Sequence, residues 1–413
     1  MWSDIQNNRA QQDRAGQRNF LRLSAVPVLL ALLAGWIPLY AVAATSDAQF
    51  EQYIYNLCSN PNPTPGWDVN KYNQMCMAIY PGGPIISPGV TTASANLGTA
   101  NASSGAASRK KKGIRESLEE SKEEPKKAAS ADGGGWGLLV SPQYGKSTRP
   151  ETNLENGFKS DLKGLVIGLD YRFSESFVFG AALGQTKDDA AFLNSAGSLK
   201  TSNNTLTMYS TWLPSENVSV DGYLGYGKVN FDSQRHVVFG TAISGTASGT
   251  TSGKQIMAGA PVAYQTSWGR FGVAPFANFD FNKTNINGYN ENGTTLLELH
   301  YGDRRTISST SSLGVRANTS YGFGWGSLLP TVRLATVHEF QNNASHVSNE
   351  LVFTPGTGML VATDAPDRNY LTSGLGMTAA LNGGAQLFLD YEKRSKDKLL
   401  DSWAVSLGVL MEF

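Results

Sequence analysis

Residues 163–173 read KGLVIGLDYRF. Leu165, Ile167, Leu169, Tyr171 and Phe173 are large and apolar, and Val166, Gly168, Asp170 and Arg172 stand between them. A β-strand turns alternate side chains to opposite faces, so this stretch predicts one greasy face and one mainly small or charged face. The period returns along the chain. Phe177, Phe179, Ala181 and Leu183 share a face, and Leu206, Met208 and Trp212 oppose Thr205, Thr207, Tyr209 and Thr211. Val218, Val220, Leu224 and Tyr226 alternate with Ser219, Asp221, Tyr223 and Gly225, and Leu313, Val315 and Ala317 oppose Gly314, Arg316 and Asn318. Val332 and Leu334 flank Arg333, while Leu387, Leu389 and Tyr391 oppose Gln386, Asp390 and Glu392. With an opening strand near Trp136–Tyr144 and a closing one at Asp401–Phe413, the pattern predicts twelve strands over 136–413.

A soluble sandwich shows the same period. Three features favour a membrane barrel instead. The apolar face carries no charge in mid-strand, where an arginine or lysine facing lipid costs about 2–4 kcal/mol, and its aromatics gather towards the strand ends. Connections alternate in length: those near 174–176, 214–217, 267–269, 322–326 and 382–384 are short, and those at 145–160, 186–200, 232–253, 282–304 and 341–370 are long and polar. Short turns on one side and long loops on the other are the outer-membrane arrangement. At the C-terminus, Trp403, Val405, Leu407, Val409, Met411 and Phe413 fill every second position. The expected fold is all-β: a twelve-stranded antiparallel transmembrane barrel, closed because no water satisfies an open sheet edge in hydrocarbon.

Composition agrees. The chain has 413 residues and a formal net charge of zero, so nothing draws it as a whole to nucleic acid. Charged residues make up 16%, below the ~25% of ordinary soluble chains. At the N-terminus, Arg9, Arg14, Arg18 and Arg22 precede the apolar run from Leu23 to Ala44. Basic, apolar and then small residues is the order of a secretory signal, so 1–44 is expected to direct the chain into the Sec export machinery. The rival, an uncleaved helical anchor, is disfavoured by Pro27 and Pro38. Residues 45–107 form a short module and linker. It holds the chain's two cysteines, Cys58 and Cys76. After export they are expected to pair, the alternative being two free thiols, and alone the module is too short to bury much core.

Residues 108–135 hold a charged segment and a Gly133–Gly135 joint. Between Arg109 and Lys127 lie eight basic and five acidic side chains, with Lys112–Glu116 and Arg115–Glu119 at helical spacing. A helix polar on nearly every side either sits in solvent or threads a polar passage.

Signal, short module, polar helix and a barrel ending in phenylalanine resemble the autotransporter (type V secretion) family, on the GWGLLVSPQYG opening and the SWAVSLGVLMEF ending. The resemblance implies a translocator anchored in outer-membrane lipid, with the upstream segment at the cell surface and the charged helix in the pore. There Asp170, Arg172, Asp221, Arg316, Arg333, Asp390 and Glu392 would face it across the lumen. It also implies that Trp403, Val405, Leu407, Val409, Met411 and Phe413 are the signal read by the barrel assembly machinery. Family members that cut themselves use an asparagine in the helix, and 109–131 contains none, so the module is expected to stay attached.

No cofactor, metal ligand set or nucleophile motif is expected. His236, His300, His338 and His346, with Asp232, Glu298, Asp303 and Glu339, lack catalytic or zinc-ligand spacing. The alternative function is an outer-membrane pore with the N-terminal segment retained in the periplasm.

Overall fold

Apolar residues at every second position, punctuated by glycine and asparagine turns, fold into strands that pair edge to edge until the sheet closes. A computed structural model describes residues 46–59, 61–79, 85–86, 135–239, 243–341, 343 and 346–413. Twelve antiparallel strands form the barrel. They are β1 (Gly135–Arg149), β2 (Phe158–Ser174), β3 (Phe177–Phe192), β4 (Gly197–Ser215), β5 (Val218–Phe239), β6 (Ile243–Gly259), β7 (Phe271–Ile286), β8 (Arg304–Thr319), β9 (Gly326–Glu339), β10 (Asn369–Leu381), β11 (Ala385–Ser395) and β12 (Asp401–Glu412). Short pieces at Val262–Tyr264 and Thr266–Trp268 continue β6 past Pro261, which lacks the N–H for a ladder bond. Each strand pairs with its neighbours in the chain, and β1 also pairs with β12, with Leu138 opposite Met411. The ring leaves no barrel edge unpaired.

The predicted apolar set faces outward. Leu165, Ile167, Leu169, Leu183, Leu206, Leu224, Leu313, Leu334, Leu375 and Leu407 are all exposed on the barrel's outer wall. A continuous belt of this kind is stable only against acyl chains.

The inward set is mixed. Asp170, Thr207, Thr211, Gln255 and Asp390 are buried there, but so are Val166, Val178, Ala182 and Met257, which cluster with Tyr209 and Tyr223. The inner wall is therefore less uniformly polar than alternation implied. Two glycines make room for its aromatics: a Cβ on Gly180 would lie 2.3 Å from the Tyr209 hydroxyl, and one on Gly259 would lie 2.1 Å from the Tyr223 ring. The freed hydroxyls reach Asp170 (2.8 Å) and Asp280 (2.6 Å).

Two of the connections expected to be long loops are mostly strand. β3 and β4 are joined by 193–196 only, and β5 and β6 by 240–242. On β3 the outward positions after Leu183 are Gln185, Lys187 and Asp189, while Ala190 and Phe192 are buried inward. The sidedness inverts where lipid ends, because outward groups must then satisfy water. The inward groups Phe158, Ala190, Phe192, Leu199, Val229 and Phe231 gather into one apolar cluster.

The connections 287–303 and 340–368 also differ from plain loops. Tyr289–Asn290, Leu299–Tyr301, His346–Leu351 and Met359–Ala362 pair in that order as a second, four-stranded sheet. Among the described residues, two helices precede the barrel, α1 (Ser46–Ser59) and α2 (Val69–Ile79). The expected signal at 1–44 and the charged segment at 109–127 lie outside the described residues.

Candidate functional site

The helix pair sits on the loop sheet, at the barrel end opposite Gly135 and Phe413. Phe50, Ile54 and Leu57 follow i, i+4, i+7 spacing along α1 and are all buried. Asp68 caps α2, accepting the Lys71 amide at 3.1 Å, and Tyr72 and Met75 turn inward from that helix. Cys58 and Cys76 are bonded to each other, with Cα atoms 5.7 Å apart. The Tyr72 hydroxyl donates to the Leu57 carbonyl at 3.1 Å, which closes the hairpin.

By itself this hairpin has little core, as its length predicts, and it completes one with the barrel's loops. Its buried residues join Val237, Ile243, Leu297, Leu299, Tyr301, Val347, Leu351, Phe353 and Val361 in a single cluster. Polar contacts fix the orientation. The Tyr53 hydroxyl meets the Thr357 hydroxyl at 2.7 Å and accepts the Leu351 amide at 3.3 Å. The Thr64 hydroxyl and the Trp67 indole both donate to the Pro355 carbonyl, at 2.8 and 3.3 Å. The Asp68 amide donates to the Phe353 carbonyl at 2.9 Å.

Under this cap lies a buried ion pair. Arg235, at the tip of β5, donates from Nε and Nη2 to the two Glu291 oxygens at 2.9 and 2.6 Å, and both side chains are almost fully buried. Arg235 also holds the Leu297 carbonyl at 2.7 Å, and Glu291 accepts the Leu299 amide at 2.9 Å. These bonds satisfy Nε and Nη2 and both carboxylate oxygens and so offset much of the desolvation of the pair, while the Arg235 Nη1 group is buried without a hydrogen-bond partner. Burial and the nearby Glu291 carboxylate both push the Tyr301 hydroxyl pKa well up.

A second network ties separate loops together. The Arg149 guanidinium contacts Glu155 in the 150–157 connection and Asp364 in the 340–368 connection, the latter at 2.6 Å. Burial pushes the Glu155 carboxyl up to about 7 against the opposing pull of Arg149, and the neighbouring Asp364 charge adds to the rise.

The charges assigned to the lumen all project inward, in separate groups. Arg333 holds Asp390 through two bonds of 2.7 Å and Glu392 through one of 2.9 Å. Asp170 accepts from Tyr209, and Asp221 accepts from Thr211 at 2.8 Å. Arg172 reaches Glu412 across the β1–β12 seam region at 2.9 Å, while Arg316 stands opposite Arg333 on the neighbouring strand. On β12, Leu407 and Met411 are exposed outward and Trp403, Val405 and Val409 are half-buried. Phe413 exchanges backbone hydrogen bonds with Trp136 at 2.8 and 2.9 Å.

The loop histidines and acids do not form one cluster. His236 bonds the Ser195 carbonyl at 2.7 Å, His300 pairs with Asn290 at 2.6 Å, and His338 pairs with Asn369 at 2.8 Å. Glu298 accepts from the Thr295 amide and hydroxyl, Asp303 from the Gly288 amide, and Glu339 from the Ser309 amide. Sequence reading missed the two buried ion networks and the helix pair. Only Phe50, Ile54 and Leu57 carried a local signal.

The autotransporter beta-domain family model matches residues 138–392. The chain belongs to the autotransporter family. Its barrel is similar to the translocator domain of the autotransporter NalP from Neisseria meningitidis, with a TM-score of 0.53 at 16% identity over 76% of this chain and 99% of that one. The beta domain of the Bordetella autotransporter BrkA matches with a TM-score of 0.50 at 18% identity, over 68% of this chain and 100% of that one. In sequence, this autotransporter is 25% identical to outer membrane protein A of Rickettsia conorii over 227 residues, which is 52% of this chain and 11% of that protein. It is 21% identical to Lipase 1 of Photorhabdus luminescens over 258 residues, or 60% of this chain and 38% of that protein. The chain thus spans only a minor part of these relatives. The autotransporter barrel sits in the bacterial outer membrane, with short turns on the periplasmic side and long connections outside.

Proposed function

We propose that this autotransporter moves its own N-terminal hairpin across the outer membrane and wears it, uncleaved, as a fixed cap on the external face. One observation carries the reading. The strand Ile85–Ile86, just after the hairpin, pairs with Phe239 and Val238 at the loop end of β5, whereas Gly135 opens β1 at the other end. Residues 87–134 therefore join opposite ends of the barrel. A bilayer with its headgroups is ~40–45 Å thick, which even a helix crosses in about 30 residues. The 13 charged side chains between Arg109 and Lys127 would be costly in lipid, which favours a route through the lumen over one through the bilayer.

The alternating ending of β12 supplies the signal for the barrel assembly machinery, and the Sec machinery delivers the chain to the periplasm. The chain performs no reaction of its own. The alternative, a pore whose N-terminal segment stays in the periplasm, is disfavoured because it separates α1 and α2 from the loops that complete their core.

The test is an epitope inserted between Pro63 and Pro65, in the exposed turn of the hairpin. Antibody should label intact cells. Labelling only after the outer membrane is permeabilised would overturn external display.

A further inference from the structure

The outward face of β5–β8 carries a group of cations just beyond the apolar belt. On β5 and β6 the last apolar outward pair is Tyr226 opposite Ile256, and the next outward pair is Lys228 opposite Lys254. On β7, Lys283 stands opposite Ile256 on one side and Ile307 on the other. On β8, Arg305 stands opposite Asn285, which is itself opposite Lys254. Four cations thus occupy four adjoining strands at one level.

Their neighbours do not neutralise them. The outward positions in contact by register are Asn204, Asn230, Ser252 and Asn285, all neutral. Asp232 is four residues further along β5, and Asp303, beyond the start of β8, accepts the Gly288 amide at 2.7 Å. Among the described residues, none of the four cations has a carboxylate ion-pair partner. Like charges directly opposite across strands are destabilising, so the Lys228–Lys254 pair weakens the empty barrel.

A second lysine pair offers a contrast. Lys163 opposes Lys187 on β2 and β3, but the next row up is Asp161 opposite Asp189. Asp161 is paired with Lys146 at 3.3 Å, and Asp189 stands opposite Lys200. That side of the barrel is internally balanced, and the β5–β8 side is not.

We propose that Lys228, Lys254, Lys283 and Arg305 bind the phosphate groups of a phosphorylated outer-leaflet lipid. Its acyl chains lie along Tyr226, Ile256, Phe279 and Phe281. The position is fixed by the belt: the cations stand at headgroup height with the exposed Tyr226, Ile256 and Phe279 and the half-buried Phe281 beneath them. Ammonium and guanidinium donors make charge-assisted bonds to phosphate, and a bound phosphate removes the repulsion between the paired lysines.

The experiment uses the full chain in neutral detergent, with lipid A as probe and bound lipid read by native mass spectrometry. The variant Lys228→Gln/Lys254→Gln/Lys283→Gln should hold lipid A at least ten-fold more weakly. Its heat stability in detergent alone should be equal or higher. The control Lys163→Gln/Lys187→Gln should bind as the parent does. Parent-like retention by the triple variant, or equal loss in the control, would overturn the assignment. Inorganic phosphate at about 10 mM should not displace lipid A, because it gains nothing from the apolar belt. Full displacement would make the site one for free phosphate and overturn the lipid assignment. The triple Lys→Arg variant, which keeps the charge, should restore retention; its failure would also count against the proposal. None of these readouts depends on where the hairpin lies.

Discussion

Glu155 shows how an outer connection responds to pH. Its carboxyl titrates near 7 in the folded chain, well above the ordinary value, because burial penalises the charge more than Arg149 rewards it. A group whose folded pKa is raised stabilises the fold most below its unfolded pKa, near 4.5. That contribution fades as pH rises through about 7. The 150–157 connection and its tie to Asp364 should therefore exchange amide hydrogens faster at pH 8 than at pH 5, after correction for intrinsic rates. Glu155→Gln should flatten the difference, and an unchanged pH dependence in that variant would assign the effect to another group. None of this was legible beforehand. Arg149, Glu155 and Asp364 are far apart or unremarkable in sequence, and only the closed barrel brings their connections together.

At the scale of elements, the membrane-spanning strands were readable because lipid imposes a rule on every second residue. Leu165, Ile167 and Leu169 obey it, and so does the ending of β12. The rule lapses at Gln185 on β3 and Lys228 on β5, so the pattern beyond them reads as loop although the backbone runs on as strand. Helix α1 had its Phe50, Ile54, Leu57 spacing, but its burial depends on Leu299, Val347 and Leu351, which lie hundreds of residues away. The cysteine pair gives a separable test. A cross-link of this loop length contributes roughly 3 kcal/mol by constraining the unfolded chain. Cys58→Ser/Cys76→Ser should leave the barrel's resistance to heat in detergent intact while 61–66 becomes sensitive to added protease. Collapse of the barrel itself would show that the cap is needed to build the wall.

For the molecule as a whole, family and architecture followed from the alternation, the asymmetric connections and the final phenylalanine. What the sequence left open was the relation between module and barrel, because that depends on a shared core. If 87–134 threads the lumen, deleting 109–131 should raise single-channel conductance in planar bilayers several-fold. An unchanged conductance would place the segment elsewhere. The inward charges at Arg333, Asp390 and Glu392 already satisfy one another, so removing the segment should not unfold the wall.

The long hairpins have a mechanical consequence. β5 has 22 residues, about 70 Å of strand at ~3.3 Å per residue. Inclined at ~40° it rises about 55 Å, against an apolar band only ~25 Å tall. The surplus is a pedestal. It holds the disulfide-closed knob about 20–30 Å beyond the apolar band, clear of the acyl chains.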